Sequence, residues 1–140
     1  MPAPAVIVVA GRAPLSHDRV IRAVRAVLRG ERRRAMISVA FVGRDRMRAL
    51  HRRFKGRPGP TDVLAFALPG PDGRLAGDVY VCPWVAARQA RALRLPVREE
   101  VLRLVIHGTL HVLGWDHPED EGRTRSAMWR RQERYVKATR

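Results

Sequence analysis

Cysteine is almost missing: Cys82 is the single one in 140 residues. That excludes a disulfide framework and any zinc site built from several cysteines. No apolar run approaches the roughly 18 residues that suggest a membrane span. The segment from Met1 to Gly11 has no basic stretch before its short apolar run, so it reads as a strand and not as a signal peptide. These absences predict a cytoplasmic protein. Acidic residues are also scarce, 13 Asp and Glu against 28 Lys and Arg, which leaves a net charge of +15. The hydrophobic fraction of 46% is that of a globular chain. The length predicts one domain over 1–140, large enough to bury a core without staples.

A basic excess of this size attracts polyanions, and nucleic acid is the natural one. A genome biased towards arginine codons produces the same excess, so the total decides nothing by itself. The distribution says more. Residues 1–98 carry 20 basic and 6 acidic side chains, and residues 122–140 carry 7 and 1. Residues 99–121 reverse the sign, with Arg103 alone against six carboxylates, and this stretch holds three of the five histidines.

Ala5–Ala10 is a short β-branched strand. Ser16 offers a helix N-cap, and Val20, Ile21, Val24, Val27 and Leu28 follow at helical spacing up to Gly30. Arg22, Arg25 and Arg29 fall on the other, solvated side. Met36–Val42 is a second strand, and Arg44–Phe54 a helix turning Met47, Leu50 and Phe54 inward. After the basic loop Lys55–Pro60, strands at Thr61–Leu68 and Gly77–Cys82 flank a turn around Pro71, Asp72 and Gly73, which predicts antiparallel neighbours. Pro83 opens a helix to about Leu95, Pro96 breaks it, and Val97–Leu113 is an apolar and therefore central helix ended by Gly114. A last basic helix runs from near Asp120 to near Ala138. This order predicts an α+β fold, a mixed sheet of about four strands packed with helices around a buried central helix.

That central helix carries the chemistry. His107 and His111 are four residues apart, hence on one helix face. Gly114 lets the chain turn back and bring His117 to a third corner. Two imidazoles one turn apart and a third beyond a turn can share one Zn²⁺, and three protein ligands with a fourth position open mark a catalytic rather than a structural metal. Such a metal makes a nucleophile of water near neutral pH. The spacing H-x-x-x-H-x-x-G-x-x-H is also that of the metzincin proteases, whose general base is a Glu directly after the first histidine. Here that position is Gly108, so proteolysis by that route lacks its base. His17 and His51 are isolated, near helix ends, and read as solvent-facing.

The run His107-Gly-Thr-Leu-His111-Val-Leu-Gly114-Trp-Asp-His117 resembles the signature of the YbeY-type endoribonucleases, bacterial rRNA maturation factors. Thr61-Asp62-Val63-Leu64-Ala65-Phe66 resembles that family's T-D-V-L-S-F strand, and Leu75-Ala76-Gly77-Asp78-Val79 its L-G-D-[IV] strand with one extra Ala. The resemblance covers most of the chain. It implies one metal ion, usually zinc, on His107, His111 and His117. It also implies hydrolysis of single-stranded RNA, maturation of the small-subunit rRNA 3′ end, ribosome quality control and contact with the ribosome. The family usually has an Arg before the glycine of the basic loop, where this chain has Lys55; Lys keeps the charge without the planar fork, and Arg53 or Arg57 could supply it. Lys55 is read either as a cation at the transition state or as a solvated loop charge. Asp116 either orients a ligand or handles a proton, or else simply forms the turn before His117. Two other functions compete: a metal hydrolase of another class, such as a protease with an unusual base, and a non-catalytic RNA-binding assembly factor with a structural metal.

Overall fold

Alternating apolar residues build the sheet, and the computed structural model describes it within residues 5–70 and 73–140. In chain order the elements are β1 (Val6–Ala10), α1 (His17–Gly30), β2 (Met36–Phe41), α2 (Arg44–Lys55), β3 (Val63–Pro69), β4 (Leu75–Val81), α3 (Pro83–Leu93), α4 (Val97–Val112) and α5 (Ala127–Thr139), with a 3-10 turn at Glu121–Arg125. The sheet order is β1-β2-β4-β3. β1, β2 and β4 run parallel, and β3 lies antiparallel at the edge with Ala65 opposite Val79. The mixed four-stranded sheet and the antiparallel β3–β4 pair are those expected from the sequence.

Period-two alternation sends the strand side chains to two faces. Ile37, Val39, Val79 and Val81 point into the main core with α1, α4 and α5. Leu64 points to the other face, where it meets Met47, Val42 and Cys82 under α2. α4 is the central helix: Val101, Val105, Ile106 and Leu110 are completely buried. It approaches the sheet closely because two contact points are glycines. A Cβ on Gly108 would lie 2.5 Å from Val79 Cγ1, and one on Gly77 would run into Val112. The residue standing in the protease base position therefore faces the sheet, where no Glu side chain fits.

Several boundaries differ from the sequence reading. The last helix does not start near Asp120. Asp120 instead caps the 3-10 turn by accepting from Gly122 N–H at 2.8 Å, and Ser126 caps α5 by accepting from Trp129 N–H at 3.1 Å. β4 starts at Leu75, two residues earlier than expected, because pairing with Pro69 extends the ladder. Phe54 does not turn inward: it is 49% exposed and packs on the Phe66 ring at 5.0 Å. Gly30 is helical, and the left-handed residue after α1 is Arg32; Gly30 is needed because a Cβ there would strike Tyr135. The predicted turn residues Pro71 and Asp72, like Met1–Pro4, lie outside the described residues.

Candidate metal centre

α4 places His107 and His111 one turn apart, and the chain reverses at Gly114, whose φ of +101° favours glycine. The ring centroids of His107, His111 and His117 lie 4.6, 4.9 and 5.0 Å apart, and the His107 and His117 Nε2 atoms are separated by 3.2 Å. Two nitrogens each roughly 2.0–2.1 Å from a tetrahedral metal are about 3.3 Å apart, so this spacing suits a shared ion.

Each histidine has its other nitrogen engaged. His107 Nδ1–H donates to Gln132 Oε1 at 2.6 Å, His111 Nδ1–H to the Trp115 carbonyl at 2.9 Å, and His117 Nδ1–H to the Pro118 carbonyl at 2.8 Å. All three acceptors are oxygens, which assigns the proton to Nδ1 and leaves three Nε2 lone pairs converging with no proton between them. A cation satisfies that arrangement. Metal binding needs neutral imidazoles. Burial, followed by the charges of His111, Arg123 and His117, pushes His107 down to about 4 against the hydrogen bond that it donates to Gln132. Burial and then His117 also lower His111. His107 is buried, while His111 and His117 are half-buried, so the cluster is open on one side.

That side is a cleft of about 750 Å³. Its rim carries Lys55, Arg57 and Asp116. Lys55 is exposed, with Nζ 5.9 Å from the Phe66 ring. Arg57 reaches Glu119 at 3.9 Å across the opening. Asp116 Oδ1 accepts from His117 N–H at 2.8 Å, so it shapes the turn that presents His117. Arg53 does not line the cleft; its guanidinium lies 5.4 Å from the Phe54 ring.

Four contributors were not singled out from the sequence. His51 is half-buried, donates Nδ1–H to the Gly59 carbonyl at 2.9 Å and lines the cleft, contrary to the solvent-facing reading. Asp62 accepts from Val63 N–H at 2.7 Å and Gln89 Nε2 at 3.1 Å, tying the start of β3 to α3. Arg123 comes from the 3-10 turn and lines the cleft. Gln132 is 1% exposed, and its orientation is set by Nε2 donating to Glu133 at 3.0 Å. Its position had a signal: it interrupts an apolar stripe, Met128–Gln132–Val136, at helical spacing. Trp115 packs the turn, donating Nε1–H to Glu31 at 2.8 Å.

Comparison with known proteins places the chain among named relatives. The family model for Endoribonuclease YbeY matches residues 12–140. An Endoribonuclease YbeY of Kineococcus radiotolerans is 47% identical over 107 residues, 69% of this chain and 62% of that protein. One from Thermobifida fusca is 40% identical over 119 residues, 77% of each chain. The solution structure of a Thermotoga maritima protein superposes with a TM-score of 0.68 at 29% identity, covering 96% of this chain and 89% of the other.

Proposed function

The chain belongs to the Endoribonuclease YbeY family, and from that premise we propose that it is a metal-dependent endoribonuclease. Its substrate in this reading is single-stranded rRNA, cut in maturing the small-subunit 3′ end and in ribosome quality control, in the cytoplasm and in contact with the ribosome. Among the described residues no helix is long and apolar enough to cross a membrane. The observation that carries the reading is the convergence of three Nε2 lone pairs, each fixed by an oxygen acceptor behind it.

His107, His111 and His117 hold the ion, and an all-nitrogen donor set with room for a fourth ligand suits zinc. When bound, the ion lowers the pKa of a coordinated water and polarises a phosphoryl oxygen. The chain's own residues do the rest. Lys55 and Arg57 bring positive charge to the rim, where the phosphate backbone passes, while Arg53 contributes only to the field beyond the cleft. Asp116 sets the position of His117, and its place in the cleft supports proton handling as a second task. Peptide hydrolysis loses its base because Gly108 is packed on Val79.

His111→Ala is the test. Its side chain is half-buried, so the fold should survive its loss. The expected result is a native melting transition, retained affinity for single-stranded RNA, loss of bound metal and loss of cleavage by at least about 10²-fold. Unfolding instead would favour the structural-metal assembly factor, and casein cleavage by the parent that disappears in the variant would favour a protease.

A further inference from the structure

The family's usual loop Arg is Lys55 here, and neither neighbouring arginine is well placed to supply a fork. Arg53 turns to Phe54, and Arg57 is exposed and faces Glu119. A planar two-donor cation suits a phosphate that gathers charge on its oxygens. Such a cation lines the same cleft. Arg123 lines the metal cleft together with His107 and His111, and it also lines a second cavity of about 530 Å³ that adjoins the cleft behind His107. Its side chain is thus part of the partition between two spaces.

Arg123 is not committed to a structural ion pair. Among the described residues no carboxylate lies within salt-bridge distance of it, whereas the part-buried Arg103 and Arg131 each have one and the part-buried Arg19 donates instead to the Thr139 carbonyl. Its Nε is buried without a hydrogen-bond partner, a state it shares with the ion-paired Arg131. Its guanidinium carbon lies 5.9 Å from the Trp129 ring centroid, and among the described residues its side-chain N–H donors have no hydrogen-bond partner.

We propose that Arg123 grips a phosphate of the RNA strand at the metal centre, supplying from the 3-10 turn after α4 the two-pronged cation that the basic loop lacks. This rests on the ribonuclease reading. The cleft then holds the scissile phosphate between Lys55 and Arg123, with the three histidines at the floor.

The test compares the full, metal-loaded chain with Arg123→Gln, Arg123→Lys and Arg125→Gln. Arg125 lies on the same turn, is exposed and does not line the cleft, so it controls for net charge. Cleavage of a labelled single-stranded RNA, binding of single-stranded DNA of the same sequence across salt, metal content and melting midpoint are all measured. The expected result for Arg123→Gln is a fall of about 10²-fold in kcat/KM and a salt slope for DNA binding shallower by about 0.7, with metal content and melting unchanged. Arg123→Lys should recover the slope and only part of the rate, and Arg125→Gln should stay within about twofold of the parent rate. A fall of less than about tenfold in Arg123→Gln, or an equal fall in Arg125→Gln, overturns the assignment. Failure of the parent itself to cut RNA is a different result: it overturns the ribonuclease reading, and the inference with it.

Discussion

At the scale of single residues, the centre depends on what stands behind each histidine as much as on the histidines. Gln132 is the clearest instance. Arg103 donates to Glu133 through Nε and Nη2, both at 2.9 Å; Gln132 Nε2 donates to Glu133, and Gln132 Oε1 accepts from His107. One ion pair between α4 and α5 thereby orients an amide, which orients an imidazole. Gln132→Leu keeps the side-chain bulk and removes the acceptor. It should weaken metal affinity by about 10–100-fold. A competition titration against a chromophoric chelator measures this, and Gln132→Glu, which keeps an acceptor, should recover most of the loss.

At the scale of elements, the position of α4 is set by two glycines rather than by its large side chains. Gly108 touches Val79 and Val63, and Gly77 meets Val112. Any Cβ at 108 pushes the helix off β4 and carries His107 and His111 with it. Gly108→Ala should therefore destabilise the fold by about 1–3 kcal/mol, despite the better helix propensity of alanine. Denaturant unfolding measures the loss, and metal affinity should fall in parallel. A gain in stability would mean that the helix can lift without cost.

At the scale of the whole molecule, Glu31 ties three distant parts together. It accepts from Trp115 Nε1 after α4, and from Arg131 and Tyr135 on α5. Burial alone would raise its pKa, but the hydrogen bonds from Tyr135, Arg131 and Trp115 outweigh burial and hold it below the usual 4.5. The same contact pushes Tyr135, already raised by burial, up to about 12. A carboxylate whose folded pKa is depressed stabilises the fold above its unfolded pKa and loses that stabilisation as pH falls through the folded value. Glu31→Gln should cost about 1–3 kcal/mol at pH 7. Its deficit against the parent, followed by urea unfolding, should persist down to the unfolded pKa of 4.5 and shrink only below it. Because the Trp115 carbonyl accepts from His111, this buried carboxylate also supports the metal centre from the far side.

The net charge of +15 belongs to the same scale. If the basic arms hold RNA, affinity should fall by about 10³-fold or more between roughly 50 and 200 mM salt, as for a protein neutralising several phosphates. A flat response, read by fluorescence anisotropy, would assign the arginine excess to composition alone.

Local rules were enough for much of this protein. Period-two and helical spacing determined the mixed sheet and the buried central helix, because alternation and the 3.6-residue turn are properties of neighbouring residues. The i,i+4 pair His107 and His111 with Gly114 and His117 was legible for the same reason, since all three ligands lie within eleven residues. What tertiary structure decided came from distant segments. Gln132 is 25 positions from His107, and Glu31 is 84 from Trp115. Phe54 fits a helical stripe, yet at the end of α2 it stays half exposed, with one side on the Phe66 ring of β3. His51 looked isolated until the Gly59 loop folded over it. Arg123 was one arginine in a basic tail, and only its burial beside the histidines distinguishes it from the others. Spacing along a chain reports which side chains share a face; which partner that face meets depends on packing between elements, and that packing fixed the tautomers, the close approach of α4 to the sheet and the presence of Arg123 in the cleft.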